Sequence, residues 1–179
     1  MAMAVERAAT RTEDRGGTVR YLSTRGGDET DLVDAVMRGL ATDGGLFVPD
    51  ELPRFTPKDF RGTTLAEISA ELLAPFFAGS GLEGQLGAIC SDAFDFPVPL
   101  RPLVEAKGEL SVLELFHGPT AAFKDVGARF LAAVMERALP RLSDERLLTI
   151  LVATSGDTGG AVAAAFHKRR GIRVGVLFP

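Results

Sequence analysis

The sequence predicts an α/β fold in which an amino-terminal α-rich domain is followed by the start of a parallel-sheet domain. Amphipathic helical patterns dominate residues 28–94, prolines cluster at residues 97–102, and residues 147–178 have the pattern strand, loop, helix, strand. We therefore expect a flexible leader over residues 1–18, an α+β domain over residues 19–100, and the beginning of an α/β domain over residues 101–179.

The first half of the chain begins with short strands around one helix. Residues 18–27 alternate as a strand does and stop at a glycine pair, and residues 42–53 predict a turn, a short strand and a proline stop. Between them, residues 28–41 predict a helix behind an acidic first turn, which suits the helix dipole. Its predicted apolar face consists of Leu32, Val33, Val36 and Leu40.

Two further helices are predicted before the proline cluster. Residues 63–79 have either Thr63 or Thr64 as N-cap, with Glu67 at capping-box spacing. Residues 82–94 form a weaker helical pattern, because two glycines lower its helix propensity.

The proline cluster marks the predicted domain boundary. Its three prolines exclude a regular element over residues 97–102, because proline lacks an N–H donor and restricts its neighbours. Beyond it, residues 102–106 and 109–116 are strand-like and separated by Lys107-Gly108, which predicts a hairpin. Residues 118–142 then predict a long helix closed by a proline.

The end of the chain predicts one βαβ unit. Apolar strands at residues 147–153 and 172–178 flank an alanine-rich helix at residues 160–169, with Gly171 as its C-cap. The basic run at residues 167–170 is expected to be a solvated helix C-terminus. Continuous apolar strands are typical of parallel sheets covered on both faces, so this sheet needs further strands and helices. We expect the chain to be an amino-terminal fragment.

Composition excludes several classes of function. Lys and Arg number 20 against 24 Asp and Glu, which gives a formal net charge of -4 and no basic field for nucleic acid. The sequence has neither a secretory signal nor an apolar run of about 20 residues, so no membrane association is expected. The single cysteine, Cys90, cannot form an internal disulfide and is interpreted as a core residue. We expect a cytoplasmic protein with no metal site.

Residues 153–166 contain two protease-like patterns that their surroundings exclude. Asp157-Thr158-Gly159 is the tripeptide around an aspartic-protease carboxylate, but those enzymes are all-β and need a second carboxylate sharing one proton. The stretch is also similar to a serine-protease nucleophile site, but Thr158 would replace the serine in the wrong secondary structure. Here a strand leads directly into a helix, so neither protease is predicted.

The strand-to-helix loop at residues 154–159 is interpreted as an anion site. Ligands of open α/β sheets bind where strands end and helices begin. We expect Ser155, Thr158 and the backbone N–H groups of residues 156–160 to point at one spot, where the helix dipole favours a negative group. Alternatively, the small residues allow the strand and the helix to pack closely. The residues alone leave both interpretations open.

Lys124 lies near the start of the predicted long helix, between Phe123 and Asp125. A lysine among apolar residues is usually a surface residue whose stem covers apolar side chains. The same surroundings favour the neutral amine, which is the form that attacks a carbonyl carbon. For His117 as well, both a structural and a catalytic role are open.

Four motifs resemble those of the threonine synthase family. They are YLSTRG at residues 21–26, DGGLFVP at residues 43–49, LELFHGPTAAFKDVGARF at residues 113–130 and LVATSGDTGGAVAAAF at residues 151–166. The resemblance implies an enzyme of pyridoxal-phosphate (PLP) fold type II, the tryptophan-synthase-β-like fold. It also implies that Lys124 holds PLP as an internal aldimine.

The resemblance further implies a reaction and a set of site residues. The family converts O-phospho-L-homoserine and water to L-threonine and phosphate, as a PLP-dependent lyase of threonine biosynthesis. Asp157 and Phe123 are expected beside the cofactor, and Arg25 and His117 are candidates for contacts with the substrate phosphate. The implied site for the substrate carboxylate comprises Thr154, Ser155, Gly156, Thr158 and Gly159.

Family members are much longer than this chain, so we expect it to be inactive without the remainder of the enzyme. That remainder would hold the cofactor phosphate and the pyridine nitrogen. Two alternatives stay open: a non-catalytic binding module that retains the motifs, and a related PLP enzyme that releases phosphate and a keto acid. The sequence does not decide between a monomer and a homodimer.

Overall fold

The computed structural model describes residues 17–103, 110–142 and 147–178, so most of the predicted leader and the predicted turn at Lys107-Gly108 lie outside it. The helices are α1 (Leu32–Arg38), α2 (Leu65–Phe77), α3 (Leu86–Ala93), α4 (Lys124–Ala138) and α5 (Asp157–Phe166). The strands are β1 (Tyr21–Ser23), β2 (Glu29–Thr30), β3 (Phe47–Pro49), β4 (Leu100–Pro102), β5 (Ser111–Leu113), β6 (Leu148–Ala153) and β7 (Ile172–Leu177).

A small antiparallel sheet opens the described chain. β1 lies in its centre and pairs with β2 on one side and β3 on the other. The sequence pattern did not indicate β2, which is only two residues long. Tyr21 of β1 is buried and donates a 2.9 Å hydrogen bond to the carbonyl of Phe76, which ties the sheet to α2. Burial raises the pKa of Tyr21 to about 12.

α1 confirms the predicted first helix but ends earlier than its apolar pattern. The Asp31 carboxylate caps it by accepting from the Asp34 amide at 2.8 Å. Gly39 ends it with a φ of 72°, a conformation that glycine adopts without strain. Leu40 therefore lies beyond the helix and is 58% exposed, so its assignment to the buried face was wrong.

The hairpin of β4 and β5 corrects the prediction that residues 97–102 contain no regular element. The strands are antiparallel, with Pro102 opposite Ser111. Leu103 N donates to Leu110 O, and the alternation of an antiparallel ladder leaves the neighbouring Pro102 in a non-hydrogen-bonded position. Proline is tolerated there because its missing N–H costs no ladder bond. The predicted pairing of two strands is confirmed, and the first strand begins at Leu100, whereas residues 104–106 of the predicted strand lie outside the described residues.

Two hydrophobic clusters share α4. The first joins α4 to α1, α2 and α3 and contains Cys90, which is fully buried as predicted; burial raises its pKa to about 11. The second joins α4 to α5, β6 and β7. Because α4 lies beyond the predicted boundary at residue 100, the core of the amino-terminal region extends across that position.

β6, α5 and β7 form the predicted βαβ unit, with the two strands parallel. Ile150 and Val174 pack toward α4 and α5, whereas Leu151 on the opposite face is 66% exposed. The described residues therefore cover only one face of this sheet. Gly171 is not the helix C-cap: α5 ends at Phe166 with His167 as its C-cap, and Gly171 adopts a φ of 72° just before β7.

The basic run after α5 is not wholly solvated, which corrects the prediction for Arg169. Its side chain is only 14% exposed. Its Nη1 lies 2.5 Å from the carboxylate of Asp92 in α3 and 2.9 Å from that of Glu136 in α4. Arg137 joins the same Asp92 carboxylate at 3.0 Å. Arg169 therefore connects the end of α5 to two other helices.

Candidate active site

Lys124 is the first residue of α4. The long helix was predicted to begin at residue 118, but α4 begins six residues later because residues 118–123 form a turn. The Lys124 side chain is 31% exposed, and its Nζ lies 4.4 Å from the centre of the Phe123 ring. Phe123 itself is 61% exposed. The amine is thus accessible and has an aromatic neighbour.

Asp157 brings the second motif to Lys124. It is the first residue of α5, and its Oδ2 lies 3.9 Å from Lys124 Nζ. That distance permits electrostatic attraction but exceeds the length of a hydrogen bond. The Asp157 side chain is 76% exposed. The fold therefore places the amine and the start of the α5 loop, which are distant in sequence, next to each other.

Thr154 organises the loop before α5. Its Oγ1 accepts hydrogen bonds from the amides of Gly156 and Gly159, each at 3.2 Å. The Gly160 amide donates to the Gly156 carbonyl at 3.3 Å. The expectation that all amides of residues 156–160 are free for a ligand was therefore wrong. Within the described residues the amides of Asp157 and Thr158 have no protein acceptor and stay available to an anion.

Gly159 supports the alternative interpretation of this loop as a close-packing device. It is buried, and a Cβ added to it would lie 2.0 Å from Cγ2 of Thr154. Gly156 and Gly160 meet nothing within 4 Å in the same test. Close packing thus explains the glycine at residue 159 but not those at residues 156 and 160. The two interpretations of the loop apply to different residues.

Asp125, the residue after Lys124, has buried contacts that the sequence did not indicate. It is fully buried, and it follows Lys124 directly. Its Oδ1 accepts from the hydroxyl of Thr120 at 2.7 Å, and its Oδ2 accepts from the Thr120 amide at 2.8 Å. A charged residue inside a predicted helix is expected to be exposed to solvent. The only sequence signal for Asp125 is therefore its position directly after Lys124 near the helix start.

His117 lies in the segment between β5 and the turn, and its partner is Glu114. Its Nε2 is 2.7 Å from Oε2 of Glu114, and its ring lies 4.7 Å from that of Phe116. Both neighbours are within three residues of His117 in sequence. The structure thus gives His117 a local structural partner.

Arg25 belongs to a network around Asp43. Its Nη1 donates to the Asp43 carbonyl at 2.9 Å. The Asp43 carboxylate accepts from the Ser23 hydroxyl at 2.7 Å and from the amides of Gly27 and Gly45. The hydrogen bond from Ser23, followed by that from Gly45, lowers the pKa of Asp43. This network links the first two motifs, YLSTRG and DGGLFVP, to each other.

Two further observations concern metal ligands and membrane-spanning helices. The part of the chain that the structure describes has no cluster of three or more His, Cys, Asp or Glu side chains placed to bind a metal. Within the same ranges, every helix is too short or too polar to serve as a membrane-spanning segment.

Comparisons with known proteins give a consistent family. Residues 20–94 match the family model "Threonine synthase N terminus". Threonine synthase from Haemophilus influenzae is 40% identical over 153 residues, which cover 85% of this chain and 34% of that protein. The chain thus spans about a third of the length of this relative.

Solved structures agree with the sequence matches. The crystal structure of PLP-bound threonine synthase from Brucella melitensis has a TM-score of 0.78 and 38% identity, over 90% of this chain and 36% of that one. Yeast threonine synthase has a TM-score of 0.82 and 30% identity, over 90% and 35%. The fold class predicted from the sequence is confirmed. In sequence and in fold, the chain corresponds to the amino-terminal portion of the threonine synthases.

Proposed function

We propose that this chain provides the lysine-bearing part of a threonine synthase, which converts O-phospho-L-homoserine and water to L-threonine and phosphate. The observation that carries the proposal is the position of the Lys124 amine, one third exposed and 3.9 Å from the first residue of α5. Its motif and the Thr154–Thr158 motif are the two that carry the resemblance most specifically.

The residues around Lys124 fit pyridoxal phosphate. Lys124 offers an accessible amine, which would hold the cofactor through its aldehyde. The exposed ring of Phe123, beside that amine, provides an apolar surface for the cofactor ring. When bound, the cofactor supplies an electron sink for charge that develops on the substrate.

The chain's own groups would bind the substrate and move its protons. Lys124 Nζ would take protons from the substrate Cα and Cβ, phosphate would leave from Cγ, which takes up a proton, and water would add at Cβ before the Cα proton is returned. The amides of Asp157 and Thr158, at the positive end of α5, receive the substrate carboxylate. The hydroxyls of Ser155 and Thr158 are further donors in this loop, while Thr154 holds the loop in shape.

We place Arg25 and His117 outside the core of this proposal. Each has a structural partner, Asp43 and Glu114 respectively, so a contact with the substrate phosphate would be a second role. The single, buried Cys90 agrees with a reducing compartment such as the cytoplasm. This chain matches about one third of the length of its relatives. Threonine formation would also need residues that correspond to the other two thirds, including the ligands of the cofactor phosphate.

Selective capture of PLP at Lys124 tests the proposal. Protein that contains this chain together with the remaining two thirds is incubated with PLP and treated with borohydride, which makes the link between PLP and a lysine amine permanent. The label is then mapped by peptide mass spectrometry. We expect label at Lys124 in excess of label at the exposed Lys58 and Lys168. Lys124→Ala should abolish the excess and Lys58→Ala should leave it unchanged. Equal labelling of all accessible lysines would show that Lys124 has no special role.

The product tests the reaction. Protein that contains this chain together with the remaining two thirds is supplied with O-phospho-L-homoserine, and threonine, phosphate and keto acids are measured. Equal amounts of threonine and phosphate are expected. Phosphate accompanied by a keto acid would indicate the related elimination instead, and no phosphate release would favour a binding module.

A further inference from the structure

The turn before Lys124 is built around the carboxylate of Asp125. Both oxygens of this carboxylate are used by one residue, Thr120, through its amide and its hydroxyl. Asp125 N in turn donates to the carbonyl of Ala122 at 3.0 Å. The first turn of α4 and the segment of residues 118–123 are therefore tied together on both sides of Asp125.

The space and the backbone around Asp125 are equally restricted. A Cβ on Gly118 would lie 2.5 Å from Oδ2 of Asp125, so only glycine allows this approach. Ala121 has a φ of 55°, which is unfavourable for a residue with a Cβ. Strain of this kind persists only where surrounding contacts hold the backbone, and the two bonds between Asp125 and Thr120 are such contacts.

A fully buried carboxylate bonded to neutral donors is an expensive way to stabilise a helix end. Burial removes the hydration of the charge, and two hydrogen bonds replace it only in part. An exposed side chain such as Thr64, which caps α2, also stabilises a helix N-terminus and loses less hydration free energy. The arrangement at Asp125 therefore calls for a role beyond helix capping.

We propose that Asp125 is a positioning residue that fixes the direction of the Lys124 amine. By holding Thr120, it stops residues 118–123 from joining α4 as another helical turn, so that α4 begins at Lys124 and the amine faces α5. This inference rests on the function proposed for Lys124. It assigns a role to a residue that is fully buried and acts through Thr120.

The variants separate the two hydrogen bonds. Asp125→Asn keeps the volume but sets an NH2 group against a Thr120 donor. Thr120→Val removes only the hydroxyl, and Thr120→Ser restores it. The readouts are the ratio of PLP label at Lys124 to label at Lys58 after borohydride reduction, and hydrogen exchange of the Thr120 amide. Far-UV circular dichroism reports whether each variant is folded.

We expect Asp125→Asn to lower the labelling ratio about tenfold and Thr120→Val about threefold, because the first change disturbs both hydrogen bonds to the carboxylate and the second removes only one. Thr120→Ser should keep the wild-type ratio, and exchange of the Thr120 amide should speed up in Asp125→Asn. If Asp125→Asn does not fold, the comparison of Thr120→Val with Thr120→Ser decides.

The outcomes distinguish this inference from the proposed function. A wild-type ratio near one overturns the role of Lys124, and the positioning role falls with it. A high wild-type ratio that is unchanged in folded Asp125→Asn, or equal in Thr120→Val and Thr120→Ser, overturns the positioning role alone.

Discussion

At the scale of single residues, Gly159 and Gly160 are the same residue type in different surroundings. They are neighbours in the first turn of α5. Gly159 lies against Thr154, whose hydroxyl accepts from its amide, whereas Gly160 has open space where a Cβ would be. Lys124 and Asp125 form a similar contrast, because one side chain is accessible and the next is fully buried. Adjacent residues thus have separate physical roles.

The glycine pair gives a matched test of loop packing. Gly159→Ala should lower the free energy of unfolding by about 1–3 kcal/mol, because the new methyl group must displace the Thr154 side chain. Gly160→Ala should raise it by about 0.4–1 kcal/mol, because alanine restricts the unfolded chain without a clash. Urea denaturation followed by circular dichroism measures both. Equal effects would contradict the packing role of Gly159.

At the scale of elements, local chemistry sets the start of α2. The Thr64 hydroxyl accepts from the Glu67 amide at 3.2 Å, and Glu67 Oε2 accepts from the Thr64 amide at 2.9 Å. Thr63 adds its amide and hydroxyl to the same carboxylate. Sequence spacing predicted this capping box because every partner lies within four residues. α4 begins differently, since its start depends on the turn held by Asp125.

The α2 capping box predicts a pH dependence of stability. Hydrogen bonds from the backbone of Thr63, then of Thr64, lower the pKa of Glu67 to about 2 from 4.5. A lowered pKa in the folded state means that the stabilisation is complete above pH 4.5 and is lost as the pH falls toward 2. Glu67→Gln should flatten the dependence of the urea midpoint on pH in this window.

The control for that experiment is Glu51→Gln, a change at an exposed glutamate outside the capping box. Its urea midpoint should follow that of the wild type across the same pH range. A Glu67→Gln slope identical to the wild-type slope would mean that the capping box does not form in solution.

At the scale of the whole molecule, α4 is the common support. It contributes to both hydrophobic clusters and carries Lys124 at its start. The carboxylates of Asp92 and Glu136 hold Arg169, which joins α3, α4 and the end of α5. Burial alone would raise the pKa of Asp92, but hydrogen bonds from Arg169 and Arg137 outweigh it and lower that pKa. The end of α5 is thereby connected to α3 and α4.

Removing Asp92 tests this connection. Asp92→Ala should reduce the free energy of unfolding by about 2 kcal/mol, between the values typical of exposed and of buried ion pairs, because it leaves two arginines without their shared partner. Glu29→Ala, which removes half of a pair with Arg20 whose side chains are both more than half exposed, should cost clearly less. Thermal unfolding compares them. Similar costs would mean that the cluster adds no more than a surface pair.

The sequence by itself determined the features that depend on near neighbours. The capping box of α2, the helical core position of Cys90 and the βαβ order all follow from spacing within one element or three consecutive elements. The motifs around Lys124 and Thr154 indicated the family, which the comparisons support. Where local rules failed, as at Pro102 and Leu40, the error was one of a few residues at an element end.

Only the tertiary structure decided which distant groups meet. Arg169 and Asp92 are 77 residues apart in sequence, and no periodic pattern connects them. The same holds for Lys124 and Asp157, which approach because α4 and α5 pack together over a shared cluster. The burial of Asp125 likewise depends on a turn that its helical pattern concealed. Pairing of charges and burial of polar groups are set by the packed arrangement of whole elements, which local spacing does not encode.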